Sequence, residues 1–181
     1  MGRYLYTPVV LCIMILLNTP LGLRAAEIHA ADEYVVKAAF LYGFAKFVSW
    51  PSESFPADST SLNICILGDA PIGSALDTIS DKTIDGRPVK TKQFDDLGAI
   101  STCQILFVSA SESERLKPIV EAARKYHVLT VSDMEGFDHA GGMIRLFAVG
   151  KNLRFSINQE ASRLAGLKIS SKLLTLSIDD N

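Results

Sequence analysis

The sequence predicts a single α/β domain whose sheet is mixed but mainly parallel, flanked by helices on both faces and finished by a C-terminal antiparallel hairpin. Three short runs, Leu62–Leu67, Gln104–Ser109 and Val128–Val131, are apolar at almost every position. Strands buried on both faces read this way. Each run is followed by a helical segment or a polar loop, the rhythm of parallel strands joined by crossovers. After the Gly141-Gly142 pair the pattern changes. Two strand-like runs, Met143–Val149 and Leu153–Ile157, are separated by Gly150, Lys151 and Asn152, a loop short enough for a hairpin.

The N-terminus sets the compartment. Arg3 precedes the apolar run Val9–Leu17, and Pro20 and Gly22 then lead to Ala25 and Ala26. That order predicts a secretory signal peptide over residues 1–25, with cleavage as late as residue 30 as the alternative. The run is too short for a permanent membrane span, and Cys12 within it is expected to be discarded. A periplasmic domain over residues 26–181 is therefore expected, of a size that buries a sizeable core. Losing Arg3 and Arg24 takes the formal net charge from −2 to −4. No basic cluster survives, so neither nucleic acid nor an anionic membrane is an expected partner.

The elements follow in order. Residues 27–32 read as a frayed lead-in to a long helix over Val35–Pro51, which Trp50 and Pro51 end because a residue before proline leaves the helical region. Val36, Phe40, Phe44 and Phe47, with Val48, recur at helical spacing and form the expected core stripe. Ala39, Leu41, Ala45 and Tyr42 lie outside it, so the helix is apolar on more than one flank and is expected to be covered on two sides. Lys37 and Lys46 are expected to snorkel outward. Ser52–Ser61 is a surface loop. After the first strand, Asp69 is placed to cap a helix that Pro71 starts and that runs to about Ser80. Asp85 and Gly86 mark a turn before an edge strand carrying Val89 and Lys90. Asp95–Thr102 bridges to the second strand, after which Ser111 and Glu114 read as a capping box opening a helix through Tyr126. Beyond the hairpin, Asn158 caps a helix that stops near Gly166. Leu167–Ile169 is extended, and Ser170 caps a last short helix over Leu173, Leu174 and Leu176.

Little in the chain resembles catalytic machinery. His29, His127 and His139 have no nucleophile placed beside them by motif, and there is no G-x-S-x-G. The turn Gly68–Gly73 lacks the dinucleotide spacing, and Asp69 puts a negative charge where phosphate would sit. No cofactor, metal or catalytic site is expected. Cys65 and Cys103 read first as a disulfide in an exported protein, with two buried thiols as the alternative. Arg145, Arg154 and Arg163 interleave with Met143, Phe147, Phe155 and Leu164. That is either an arginine-plus-aromatic interface or a half-buried sheet with solvated arginines.

Four separated segments, KAAFLYGFAKFVSWP, LNICILGDAPIG, LTVSDMEGF with GGMIRL, and RFSINQEASRLAGLKISSKLLTL, together resemble the YfiR/HmsC-like family over essentially the whole mature chain. The resemblance implies a periplasmic α/β protein without catalytic activity. It would repress an inner-membrane diguanylate cyclase by binding that enzyme's periplasmic sensor domain, and an outer-membrane lipoprotein would relieve the repression. Output would be cyclic-di-GMP and biofilm matrix. Cys65 and Cys103 match one family disulfide pair. A second pair is absent, its neighbourhood being occupied by Phe137, Asp138, Ile144 and Arg145, so a redox switch built on that bridge is not implied. Family partner-binding residues lie in the C-terminal third, which makes Met143, Phe147, Phe155, Arg163 and Leu164 the candidates. A homodimer formed through an apolar surface that includes the first helix is also expected. The alternative is a small-ligand binding protein with a polar cleft near Asp69, Ser109 and Asp133.

Overall fold

A computed structural model describes residues 21–55 and 59–178, with side chains from residue 33 onward. The predicted signal peptide lies almost wholly outside the described residues. The elements run α1 (Leu21–Phe47), β1 (Val48–Ser49), β2 (Leu62–Leu67), α2 (Gly73–Leu76), β3 (Thr83–Ile84), β4 (Arg87–Phe94), β5 (Ile105–Val108), α3 (Leu116–Lys125), β6 (Leu129–Ser132), β7 (Ile144–Val149), β8 (Asn152–Ile157), α4 (Gln159–Leu164), β9 (Lys168–Ile169) and α5 (Ser171–Leu176).

Seven strands form one sheet in the order β3-β4-β2-β5-β6-β7-β8. The five central strands are parallel, and β3 and β8 are antiparallel margins. The hairpin is therefore not a separate appendix, because its first strand continues the parallel core by pairing Ile144 with Val131. Strands β1 and β9 form a separate two-stranded ribbon, pairing Val48 with Ile169.

The apolar strands are buried on both faces for the reason their composition suggests. Ile64, Ile66, Ile105, Phe107, Leu129 and Val131 point into the layer holding α1, α2 and α5. Cys65, Leu67, Leu106 and Val108 point into the layer of α3 and the 3-10 turn Leu97–Thr102. In that second layer Cys65 and Cys103 form a disulfide, with their alpha carbons 5.9 Å apart and a sequence separation of 38. Closing a loop of that length contributes about 4 kcal/mol in the chain-entropy view.

Turns and caps refine the expected boundaries. Asp85 and Gly86 have φ of 49° and 78°, the pair of left-handed residues a tight hairpin needs. Asn158 accepts from the Ala161 amide at 2.8 Å, and Gly166 has φ of 74° just beyond the end of α4, both as expected. Two caps are corrected. Asp69 caps nothing: α2 is a single turn whose N-cap is Ile72, with no side-chain bond. Ser109, not Ser111, caps the next element, a 3-10 turn over Ala110–Arg115 that precedes α3. The Ser111 hydroxyl instead accepts from the Asp69 amide at 3.0 Å.

The largest correction concerns α1. Its backbone is helical from Leu21 rather than frayed, and it ends at Phe47 because Val48 and Ser49 enter the ribbon with β9. Its core face carries Ala38, Leu41, Phe44 and Ala45, and Val48 of β1 is buried just beyond its end. Val36 is 43% exposed, and Phe40 and Phe47 are half-buried. The small residues Ala38 and Ala45 allow close approach to the sheet beside Leu41 and Phe44, and Val36, Phe40 and Phe47 lie toward the outer flank. Lys37 does not snorkel either. It is 4% exposed, its ammonium held 2.6 Å from Asp133 Oδ2 and 2.7 Å from Glu33 Oε1.

Candidate protein-docking surface

The outward flank of α1 places Val35, Val36, Ala39, Phe40, Gly43 and Phe47 beside Phe155 of β8 and Leu173 and Leu176 of α5. Together they line an open, almost wholly apolar cavity of about 370 Å³. Three aromatic rings form its floor. Phe155 stands edge-on to Phe44 at 5.1 Å and to Phe40 at 5.8 Å between centroids, and Phe40 and Phe44 are 5.8 Å apart. These are favourable aromatic geometries. Gly43 leaves open space where a Cβ would stand, making a notch between the Phe40 and Phe47 ridges.

At its N-terminal end the stripe borders a second depression of about 510 Å³, formed by Glu33 and Val36 against the tip of the β7–β8 hairpin. Lys37 fixes the helix there. Burial pulls the Lys37 ammonium toward neutrality, but hydrogen bonds to Asp133 and Glu33 outweigh it and hold the pKa above the usual lysine value. The ion therefore stays charged and ties α1 to the end of β6.

The residues singled out in the C-terminal third do not share one face. Met143 is 1% exposed and belongs to the core. Its edge lines a smaller cavity of about 300 Å³ between α3 and α4, with Leu164, Val120 and Arg124. Leu164 is 50% exposed. Arg163 is exposed and paired with Glu160 at 2.6 Å. Phe147 is half-buried beneath the Arg145 guanidinium, 4.6 Å from its centroid. Phe155 alone joins the α1 surface. Val36, Gly43, Leu173 and Leu176 complete that surface, and the doubly apolar character of α1 was the signal that pointed to it.

The sites considered for other chemistry are filled or dispersed. Where the small-ligand alternative places a cleft, the Ser109 hydroxyl donates to the Asp69 carbonyl, Gln93 Nε2 donates to the Gly68 carbonyl at 3.0 Å, and Glu112 packs over Gly68. Asp133 is engaged by Lys37. His127 Nδ1 lies 2.8 Å from the Ala165 carbonyl, and His139 is exposed beside Asp138. Among the described residues no group of three or more His, Cys, Asp or Glu side chains could hold a metal ion. None of the described helices is long and apolar enough to cross a membrane.

One largely buried polar cluster gathers around Asp138, between the loop before β7 and the strands β7 and β8. Burial pushes the Asp138 carboxyl up, but the Ser156 hydroxyl donating to it, the Arg145 guanidinium and the His139 amide hold it below the usual carboxylate range. Asn158 Nδ2 donates to the Asp138 carbonyl at 2.8 Å. This cluster anchors the loop before β7; it presents no free nucleophile.

No curated protein matches the chain. The crystal structure of a conserved domain protein from Vibrio cholerae O1 biovar El Tor strain N16961 is similar at 10% identity and a TM-score of 0.49, covering 69% of this chain and 56% of that one. The model of the YfiR/HmsC-like family matches residues 34–178. The chain therefore belongs to the YfiR/HmsC-like family, a membership that supports a periplasmic, regulatory and non-enzymatic role.

Proposed function

We propose that this protein is a periplasmic regulator that binds the periplasmic sensor domain of an inner-membrane diguanylate cyclase and holds the enzyme off, lowering cyclic-di-GMP and matrix output. An outer-membrane lipoprotein relieves the repression by competing for the chain. The observation that carries the reading is the open apolar stripe of α1 with Phe155, Leu173 and Leu176, an exposed surface of the kind that marks protein interaction, on a member of this family. The same stripe suits a homodimer, since the Gly43 notch and the Phe40 and Phe47 ridges lie together on one helix.

Repression of this kind is a population shift. The chain must bind the off state of the cyclase more tightly than the on state, and a tenfold difference in affinity supplies about 1.4 kcal/mol of bias. The test is genetic and biochemical. Deleting the gene raises cyclic-di-GMP, the wild-type chain restores repression and captures the cyclase from solubilised membranes, and a folded Val36→Asp variant does neither. Unchanged cyclic-di-GMP on deletion would sink the reading. The small-ligand alternative is disfavoured by the filled turn at Gly68 and Asp69.

A further inference from the structure

Strand β8 is the margin of the sheet. Its pairing with β7 sets which backbone groups are used. Arg145 lies opposite Ser156, Phe147 opposite Arg154, and the Asn158 amide donates to the Met143 carbonyl at 2.8 Å. The even-numbered residues thus bond β7, and Leu153, Phe155 and Ile157 turn their amides and carbonyls outward. Among the described residues one of these groups has a partner: the Ile178 amide donates to the Phe155 carbonyl at 3.0 Å. The side chains of the same three residues point toward α1 and pack on that core. Both depressions described above border this strand. The apolar one touches Phe155, the other touches Asn152 and Leu153, and they share Val36. A trough therefore runs alongside unpaired backbone groups, and Ile178 of the same chain already bonds one carbonyl of this edge.

Charge limits what can lie there. Arg154 and Lys151 are exposed, and Arg154 has no carboxylate within ion-pair distance among the described residues. A second copy pairing antiparallel through β8 would bring arginine toward arginine, which like charges disfavour. An acidic residue on an incoming strand would meet Arg154 favourably.

We propose that β8 accepts an extended segment of a partner protein as an added strand. Apolar side chains at alternate positions enter the trough beside Val36 and Phe40, an acidic residue between them faces Arg154, and Ile178 is the internal occupant this segment displaces. Strand addition of this type draws affinity from main-chain hydrogen bonds and selectivity from the alternate side chains. The inference rests on the reading that the chain acts by binding protein, but its test needs no cyclase.

The probe is a capped peptide of about eight residues, alternating isoleucine and threonine with one central glutamate, and its lysine counterpart, titrated into the full chain while amide exchange is followed. The glutamate peptide is expected to slow exchange at the Leu153 and Phe155 amides. Arg154→Glu should weaken that peptide and favour the lysine peptide, each by about fivefold. Ile178→Pro, which removes the competing donor, should tighten both. Leu153→Pro, tolerated on an edge because the lost amide faces outward, should abolish the effect. Binding with no added protection at Leu153 and Phe155 overturns the proposal, as does indifference of both peptides to Arg154→Glu. Self-association of the chain that Leu153→Pro abolishes would make a second copy the occupant and also overturn it. If the peptide binds as described but gene deletion leaves cyclic-di-GMP unchanged, the strand site stands and the cyclase reading alone fails.

Discussion

The two faces of the sheet are closed in different ways. On one, α3 is amphipathic: Ile119 and Ala123 are buried and its other side carries Lys117, Glu121, Arg124 and Lys125. That layer is stapled by Cys65 and Cys103 and plugged by Phe137, whose ring leaves no room for a side chain at Gly142. On the other, α1 is apolar on two flanks. It turns Ala38, Leu41, Phe44 and Ala45 to the sheet and leaves Val36, Phe40 and Phe47 facing a groove. A helix that needs one partner ends in charge, whereas a helix that shows a second greasy flank has been left incomplete by its own domain.

The comparison yields substitutions of graded size. Cys65→Ala together with Cys103→Ala should cost about 4 kcal/mol, read as a lower urea midpoint than wild type without reductant. A loss below about 1 kcal/mol would mean the stapled face depends on packing alone. On the α1 face, Lys37→Met keeps the buried stem but leaves Asp133 unpaired. Because Asp133 is 30% exposed and Glu33 is 56% exposed, water offsets much of the loss, and about 1 to 2 kcal/mol is expected. Gly43→Ala meets open space and should stabilise by about 0.5 to 1 kcal/mol through helix propensity. Val36→Asp should move the urea midpoint by less than about 0.5 kcal/mol equivalent while removing partner capture. A large loss of stability from Val36→Asp would show that the flank is core after all.

Two ionic anchors separate by pH. The Asp138 pKa is depressed in the folded chain, so its contribution is present above the ordinary value of 3.8 and is lost as pH falls through the lower folded value. The Lys37 pKa is raised, so its contribution is present below 10.5 and is lost only as pH rises through the higher folded value. Asp138→Asn should therefore flatten the acid limb of a stability–pH curve and leave the alkaline limb alone. Lys37→Met should do the reverse, and a change on the wrong limb would reassign the anchor.

Much of the fold was legible because burial on both faces leaves a nearly continuous apolar run. Leu62–Leu67 is the clearest case, with six positions buried out of six and Asn63 its one polar residue. The disulfide was legible from two cysteines in a chain expected to be exported, and the Asn158 cap with Gly166 from their chemistry. The orientation of α1 was not. With apolar residues around most of the cylinder, the pattern has no phase, and bulk is a poor guide where close helix–sheet approach favours alanine. The Lys37–Asp133 pair joins positions 96 residues apart, which no local pattern reveals. The C-terminal candidates scattered because they lie on different elements, Phe147 on β7, Phe155 on β8 and Arg163 and Leu164 on α4, and because alternation along a strand sends adjacent residues to opposite faces. Phe155 and Arg154 are neighbours in sequence that serve different surfaces.

The bridge between Cys65 and Cys103 has a kinetic corollary. Both sulfur-bearing residues are essentially sealed, at 0% and 1% exposure, so a thiolate has no line of attack while the layer of α3 stays shut. Cleavage by a small reductant must wait for the domain to open, and at high reductant its rate becomes a clock for that opening. Anything that clasps the outer flank of α1 should slow that clock from the far side of the sheet.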